Sequence, residues 1–491
     1  MEQMQKLRIS LVSLDWLRPK DPRIALGHAS IKAKLTQSQF AERLDVKDHS
    51  FNVNPSQSLP ADLLSTAEEA ADEILASKPD LVAFGGYVWN ESYVQNIHKI
   101  LATSNPRNTF NILMGPQTSY APKGTLESFY PFSDIFIRGY AEDAFRDVVE
   151  NMLLLRNERI RGVHHAGGHD DGSMANVDLN AAPSPFTEVI DLNKHEFIRW
   201  ETQRGCPFRC TFCQHRDSYQ KRSLFNLPKR IAGEIHEICS ERSAVRDIAV
   251  LDPTFNSGPH YISVIEELTQ RGYAGRLALQ CRFEMMRPEF VEAVRRLITV
   301  NNAKVILEFG IQTIIMAEMK EIQRINNLEK VKFWAEQLHA AEIPFEISLI
   351  YGRPHQTVDT FKRSIDFCHE LKPTTMYAWP LMLLRGTELE RKKGVLQLEE
   401  GVLEEEGEQR FVEKQRILGG IPHVMSSPSF SKKEWFEMRD IAASLNLHED
   451  YMLYIICYSL HVMNVRQYLP VVTLRSYMHN PIAIRVRKLS E

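Results

Sequence analysis

The chain has 491 residues, too many for one ordinary domain, and its 43% hydrophobic and 25% charged residues are those of a globular protein. A net charge of −4 excludes the basic field by which nucleic-acid and polybasic membrane binders work, so neither partner is expected. The opening "MEQMQKLRISLVSLDW" lacks a stretch apolar enough for a signal peptide, and no run of about 18 apolar residues predicts a membrane span, which together predict a cytoplasmic protein.

In chain order, the β-branched run at 7–14 predicts a strand and "DLLSTAEEAADEILAS" (62–77) an amphipathic helix. A strand at 80–86, a helix near 92–104, strands at 110–115 and 134–139 and a helix from Glu142 follow. Strands alternating with helices predict a Rossmann-like, doubly wound parallel sheet over 1–155, with ligands at the carboxyl ends of its strands. Periodicity fades between 156 and 196, where Gly, Ala, Asp and Pro predict a linker. His164, His165 and His169 lie there without a cysteine or ordered element to complete a metal set.

The alternation resumes with predicted strands at 197–202, 247–252, 276–282, 304–310, 344–352 and 374–382. Predicted helices at 227–241, 259–271, 288–298, 328–341 and 357–371 separate most of them, which fits a partial parallel (β/α)6 barrel over 197–394. Residues 395–491 predict a mainly helical C-terminal region, including a buried helix at 450–463 and the aromatics Trp435, Tyr451 and Tyr454.

Three of the seven cysteines crowd into "RGCPFRCTFCQHR" (204–216). Cys206-x3-Cys210-x2-Cys213 falls between a predicted strand and a predicted helix, at the barrel rim where such folds keep their chemistry. Three thiolates on one tight loop suit an iron–sulfur cluster, held by cysteine sulfur with one iron left open. Structural zinc wants a fourth ligand at matching spacing, and His215, two residues past Cys213, would be an unusual one. Cys239, Cys281, Cys368 and Cys457 form no second close pair.

This loop resembles that of the radical S-adenosylmethionine (SAM) enzymes, down to the aromatic Phe212 before the third cysteine. The resemblance implies a [4Fe-4S] cluster on Cys206, Cys210 and Cys213, whose open iron chelates SAM. An electron, supplied by a partner such as flavodoxin or ferredoxin, then cleaves SAM to a 5′-deoxyadenosyl radical. It also implies SAM contacts in family order: Phe212 on the loop; Asp252, Thr254 and Asn256 in "LDPTFNSG"; Arg282 and Glu284 in "LQCRFEMMRP"; Glu308 and Gln312 in "LEFGIQT"; and Gly352 in "SLIYGRPHQT". Arg282 would pair with the methionyl carboxylate. Tyr377, Trp379 and Arg385 are expected on the substrate side, facing a small molecule.

A sheet ahead of such a barrel resembles the cobalamin-binding subclass. By that resemblance, Ser13, Gly85, Gly86, Tyr87, Gly115, Gln117, Thr118, Gly139, Tyr140 and Glu142 are expected around cobalamin. The Asp-x-His-x-x-Gly pattern of an axial histidine is absent, as is usual in the subclass. Its acidic Gly-Glu-Gly-Glu turn is replaced by Gly139-Tyr140-Ala141-Glu142, which would crowd the cofactor's tail. The function implied is a cobalamin-dependent methyltransferase acting on an unactivated carbon. The alternative is a cobalamin-independent oxidoreductase, dehydratase or cyclase that keeps the first domain as a scaffold, with Cys281, Tyr351 or Tyr377 as hydrogen donor. An electron-transfer protein without radical chemistry is a third class, and the series of SAM contacts argues against it.

Overall fold

The computed structural model describes residues 6–15, 25–53, 66–104, 109–217, 223–225, 228–402 and 421–445. The segment 450–463, with Tyr451, Tyr454 and Cys457, lies outside them.

The first sheet contains β1 (Leu7–Asp15), β2 (Leu44–Asn52), β3 (Leu81–Gly85), β4 (Phe110–Met114), β5 (Ile135–Ile137) and β6 (Val163–His165). Their order is β2-β1-β3-β4-β5-β6, with every pairing parallel except β5 with β6. Period-two alternation sends Val12 and Leu14 of β1 to one face and Ile9 and Leu11 to the other. The helices Ala67–Ala76 and Glu91–Ser104 cover the first face through Ile74, Val94 and Ile97. Leu26–Thr36 and Ala141–Leu154 cover the second through Ile31, Leu35 and Phe145. Burial on both faces is why the central strands read as continuous apolar runs.

Two strands escape the sequence pattern. The edge strand β2, "LDVKDHSFN", is largely polar and reads as neither period. In turn, β6 lies in the stretch expected to be linker, adding an antiparallel edge to β5. Its His164 stacks on Phe136 at 5.7 Å, and its Nε2 lies 2.6 Å from the Glu127 carboxylate.

The second sheet begins at β7 (Phe197–Trp200). A short antiparallel ribbon follows, β8 (Gln203–Gly205) with β9 (Ser223–Phe225). Then come β10 (Asp247–Val250), β11 (Arg276–Cys281), β12 (Lys304–Gln312), β13 (Phe345–Tyr351) and β14 (Thr375–Pro380). The order β7-β10-β11-β12-β13-β14 is all parallel, with β7 and β14 as edges: a partial barrel, as expected. The intervening helices, Pro228–Ile238, Tyr261–Gln270, Pro288–Asn301, Leu328–Ala340 and Val358–Glu370, start and end within three residues of expectation. Along β12, buried Val305, Leu307, Phe309 and Ile311 alternate with Ile306, Glu308, Gly310 and Gln312, which are only partly covered.

Beyond the barrel, β15 (Glu399–Gly401) and β16 (His423–Ser426) pair antiparallel. The helix Lys432–Ser444 buries Trp435 5.6 Å from Tyr351. The described part of the C-terminal region thus adds a small sheet to the helix expected there.

Candidate active site

The cysteine loop leaves β8 through Gly205, whose φ of +81° is left-handed backbone that glycine adopts without strain. Three directions hold the loop. The Thr211 N–H donates to the Ile322 carbonyl (3.0 Å), its hydroxyl to Glu321 (3.2 Å), and its carbonyl accepts from Leu389 (2.9 Å). The Tyr120 hydroxyl donates to the Gln214 carbonyl at 2.6 Å, and the Gln214 amide to the Arg385 carbonyl at 2.9 Å.

All three thiols are free. The Cys206 Sγ lies 3.5 Å from Thr254 Oγ1, and Arg324 Nη1 donates to Cys210 Sγ at 3.7 Å. Burial pushes the Cys213 thiol up to about 12; a backbone bond at His215 opposes the shift, and the neighbouring Cys210 and Cys206 add to it. Cys213 therefore feels both other thiols, and a bound metal is what would strip its proton. Among the described residues, no three His, Cys, Asp or Glu side chains close as they would on one ion. A cluster asks for something wider, since it spreads its thiolates over separate irons. The donor set fits such a cluster.

Beside the loop, a cavity of about 360 Å³ opens inside the barrel. Of the residues expected at SAM or substrate, Thr254, Arg282, Glu308, Gln312, Tyr377 and Trp379 line it. The Arg282 guanidinium lies 3.7 Å over the Phe208 ring and 3.3 Å from Glu284. Burial and the nearby Arg324 cation hold its pKa below the ordinary guanidinium value. Gln312 has a φ of 67° where the β12–β13 register breaks, and a Cβ on Gly310 would meet its amide at 2.4 Å. Arg324 also donates to the Gly310 carbonyl.

Sequence reasoning missed Arg324, Gln280, Glu346 and Ser348, which line the same cavity. Period two on β11 and β13 could have found the last three; Arg324 sits in a loop with no period to betray it. Two guanidinium groups and two carboxylates on one cavity wall suit a zwitterionic ligand.

Other expected contacts have hydrogen bonds or packing within the fold. Asp252 has no exposed surface and accepts from the Thr202 and Gln203 N–H groups (2.8 and 3.1 Å) and the Thr202 hydroxyl. It fastens the strand end ahead of the loop, and burial still pushes its carboxyl up to about 7. The Asn256 amide clamps the Arg282 backbone, donating to its carbonyl and accepting from its N–H, both at 2.9 Å. Glu284 accepts from the Asn327 N–H as well as facing Arg282. A Cβ on Gly352 (φ +81°) would meet the Val424 carbonyl at 2.8 Å, so this turn packs on β16 and not on the cavity. Phe212 is half-buried on the loop and outside the cavity lining. Arg385 faces the first sheet instead of substrate: it bonds Glu91 (2.9 Å) and the Tyr130 hydroxyl (2.9 Å), 4.4 Å over Phe129.

A second cavity, of about 340 Å³, opens at the carboxyl ends of β1 and β3. In a sheet ordered 2-1-3-4-5 this is the switch point where ligands bind. Ser13, Gly85 and Tyr87 line it, with Tyr87 stacked on Trp89 at 4.5 Å. Arg199, Glu201, Arg204 and Leu251, from the barrel side, form its other wall.

The remaining residues expected at cobalamin are not among those lining this cavity. Gly115 (φ +95°) lets the chain pass Gly86, whose carbonyl a Cβ would meet at 2.9 Å. Gln117 donates to Glu91 at 2.5 Å, and Thr118 is fully buried. A Cβ on Gly139 would meet the Ala175 carbonyl at 2.4 Å, so the segment expected as linker packs on this turn. Glu142 pairs with Arg204 at 2.7 Å, and the Tyr140 ring lies 5.0 Å from that guanidinium. Both shape the cavity through Arg204.

Comparison with known proteins agrees with this geometry. Residues 200–368 match the model of the radical SAM superfamily. The cobalamin-dependent radical SAM methyltransferase TokK of Streptomyces tokunonensis is 24% identical over 326 residues, 62% of this chain and 47% of TokK. An uncharacterized methyltransferase, PH0819 of Pyrococcus horikoshii, is 24% identical over 202 residues, 39% of this chain and 43% of that protein. The chain thus spans less than half the length of these curated relatives. Among solved structures, the radical SAM methyltransferase TsrM of Kitasatospora setae, with tryptophan substrate and a SAM analogue, shares the fold. Its TM-score is 0.62 at 16% identity, over 81% of this chain and 79% of TsrM. TsrM with cobalamin and a [4Fe-4S] cluster bound gives 0.61. The domain at 200–368, which carries the cysteine loop and most of the barrel, is thus a radical SAM domain.

Proposed function

We propose that the protein is a cobalamin-dependent radical SAM methyltransferase acting on an unactivated carbon of a small molecule. The observation that carries this is the placement of two cavities. The barrel cavity lies beside the three thiols, and the switch-point cavity of the first sheet is walled by the strand ends of that same barrel. A ligand held by the first sheet would therefore face the barrel. TokK, cobalamin-dependent by name, and TsrM, solved with cobalamin and a cluster, support the same pairing.

In this reading Cys206, Cys210 and Cys213 hold the cluster, and Arg324 donates to the Cys210 sulfur. Arg282 and Arg324 take the carboxylate of SAM, while Thr254, Glu308 and Gln312 bond its amino and ribose groups. Tyr377 and Trp379, 5.8 Å apart and stacked, line the substrate side. Ser13, Gly85 and Tyr87 would face cobalamin. When bound, the cluster supplies one-electron reductive cleavage of SAM and cobalamin a transferable methyl group. An external one-electron donor, of flavodoxin or ferredoxin type, completes the requirement.

One observation favours the second reading, a cobalamin-independent radical enzyme with the first sheet as scaffold: Ala175 fills the open side of Gly139. A single experiment separates the two. The protein is reconstituted with iron and sulfide without oxygen, mixed with hydroxocobalamin and desalted, and its absorption spectrum recorded. We expect about one cobalamin retained per chain, as one cavity holds one ligand. Absence of corrin bands would overturn the methyltransferase proposal and leave the scaffold reading.

A further inference from the structure

We infer that Tyr120, Gln214 and Arg385 are positioning residues, which with Glu91 form a hydrogen-bonded relay from the first sheet to the backbone beside Cys213. The relay begins where Tyr120, just after the helix Pro116–Ser119, donates its hydroxyl to the Gln214 carbonyl at 2.6 Å. Gln214 follows Cys213 directly, so this bond fixes the peptide that leaves the third cysteine. The Gln214 side-chain amide then donates to the Arg385 carbonyl at 2.9 Å.

Arg385 turns its side chain the other way. Its guanidinium donates to the Glu91 carboxylate (2.9 Å), the Tyr130 hydroxyl (2.9 Å) and the Gln117 carbonyl (3.1 Å). Glu91 is itself held by the Tyr130 hydroxyl and the Gln117 amide, both at 2.5 Å. A partly buried pair whose acceptors are bonded on several sides is fixed in a way that a lone surface pair is not.

Close approach makes the arrangement specific. A Cβ on Gly386 (φ +73°) would meet the Tyr120 Cβ and carbonyl at 2.8 Å, so a side chain at 386 would push the two segments apart. Three positions on, the Leu389 N–H donates to the Thr211 carbonyl at 2.9 Å, closing the segment 385–389 onto the cysteine loop. The first sheet thus reaches the loop directly through Tyr120 and indirectly through Arg385. Cys206 is outside this relay and faces Thr254.

The inference rests on Cys213 as a cluster ligand, and its test does not require the cluster. The full-length, cluster-free protein is treated with N-ethylmaleimide, and labelling of each cysteine is followed by mass spectrometry. Tyr120→Phe removes one hydroxyl and little volume. Losing one such bond should raise the local opening of the loop, and hence Cys213 labelling, about fivefold. Cys206 labelling should stay as in wild type. Arg385→Gln should raise Cys213 labelling at least as much.

An unchanged Cys213 rate in Tyr120→Phe, or equal acceleration at Cys206 and Cys213, would overturn the relay. Should Arg385→Gln fail to fold, Tyr120→Phe decides alone. Failure of the cluster reading is told apart by a wild-type protein that takes up no iron, an outcome that leaves the labelling ratio untouched.

Discussion

Asp252 stands just beyond β10 with no exposed surface, accepting three hydrogen bonds from Thr202 and Gln203 ahead of the cysteine loop. Desolvation outweighs those bonds and raises its carboxyl to about 7. A carboxyl raised in the fold binds its proton more tightly there than in the unfolded chain, where its pKa is about 3.9. Its favourable contribution is therefore complete below the unfolded value and is lost as pH rises through about 7. We expect the melting-temperature advantage of wild type over Asp252→Asn to shrink as pH rises from about 5 to about 8, followed by circular dichroism. A difference that is flat across this range would mean the carboxyl is already ionised in the fold. At this scale the sequence spoke through spacing. The cysteine trio was legible because three thiols within eight positions have few other uses. Asp252, Asn256 and Gly352 were expected as ligand contacts from the family resemblance; a polar or small residue at a strand end serves a ligand or its own turn equally well, and spacing does not choose between them.

Among the elements, legibility followed burial. The central strands of both sheets announce themselves through β-branched runs, and the barrel helices through their apolar stripe. Glu308 and Gln312 were expected from the family resemblance, and period two on β12 and β14 sets them, with Tyr377 and Trp379, toward the barrel cavity. The edge strands of the first sheet were lost, as β2 is mostly polar and β6 is only three residues long. The clearest consequence lies at Gly139, where a left-handed φ of +91° and the Ala175 carbonyl at 2.4 Å leave no room for a Cβ. Gly139→Ala should lower stability by about 3 kcal/mol through backbone strain and overpacking. It would be read as a lower urea midpoint at unchanged slope. An unaltered midpoint would mean that the chain around Ala175 does not press on this turn.

For the whole molecule, both sheets lie within one compact unit, Met1–Ala443, and turn the carboxyl ends of several strands toward a shared cavity wall. Alternating periods made two α/β regions visible in the sequence. Nothing local revealed that Glu91 meets Arg385 across 294 positions, or that the segment expected as linker packs on Gly139. Contacts between distant segments leave no periodic trace, so the joining of the two regions had to come from coordinates. The chemistry assigned to this arrangement depends on one centre, a cluster on Cys206, Cys210 and Cys213 with an iron left for SAM. Its most direct test is the electron paramagnetic resonance spectrum of the anaerobically reconstituted, dithionite-reduced protein, with and without SAM. We expect a reduced [4Fe-4S] signal whose g-values move when SAM is added and which is lost in Cys206→Ala. A signal that persists in Cys206→Ala, or one that ignores SAM, would contradict it.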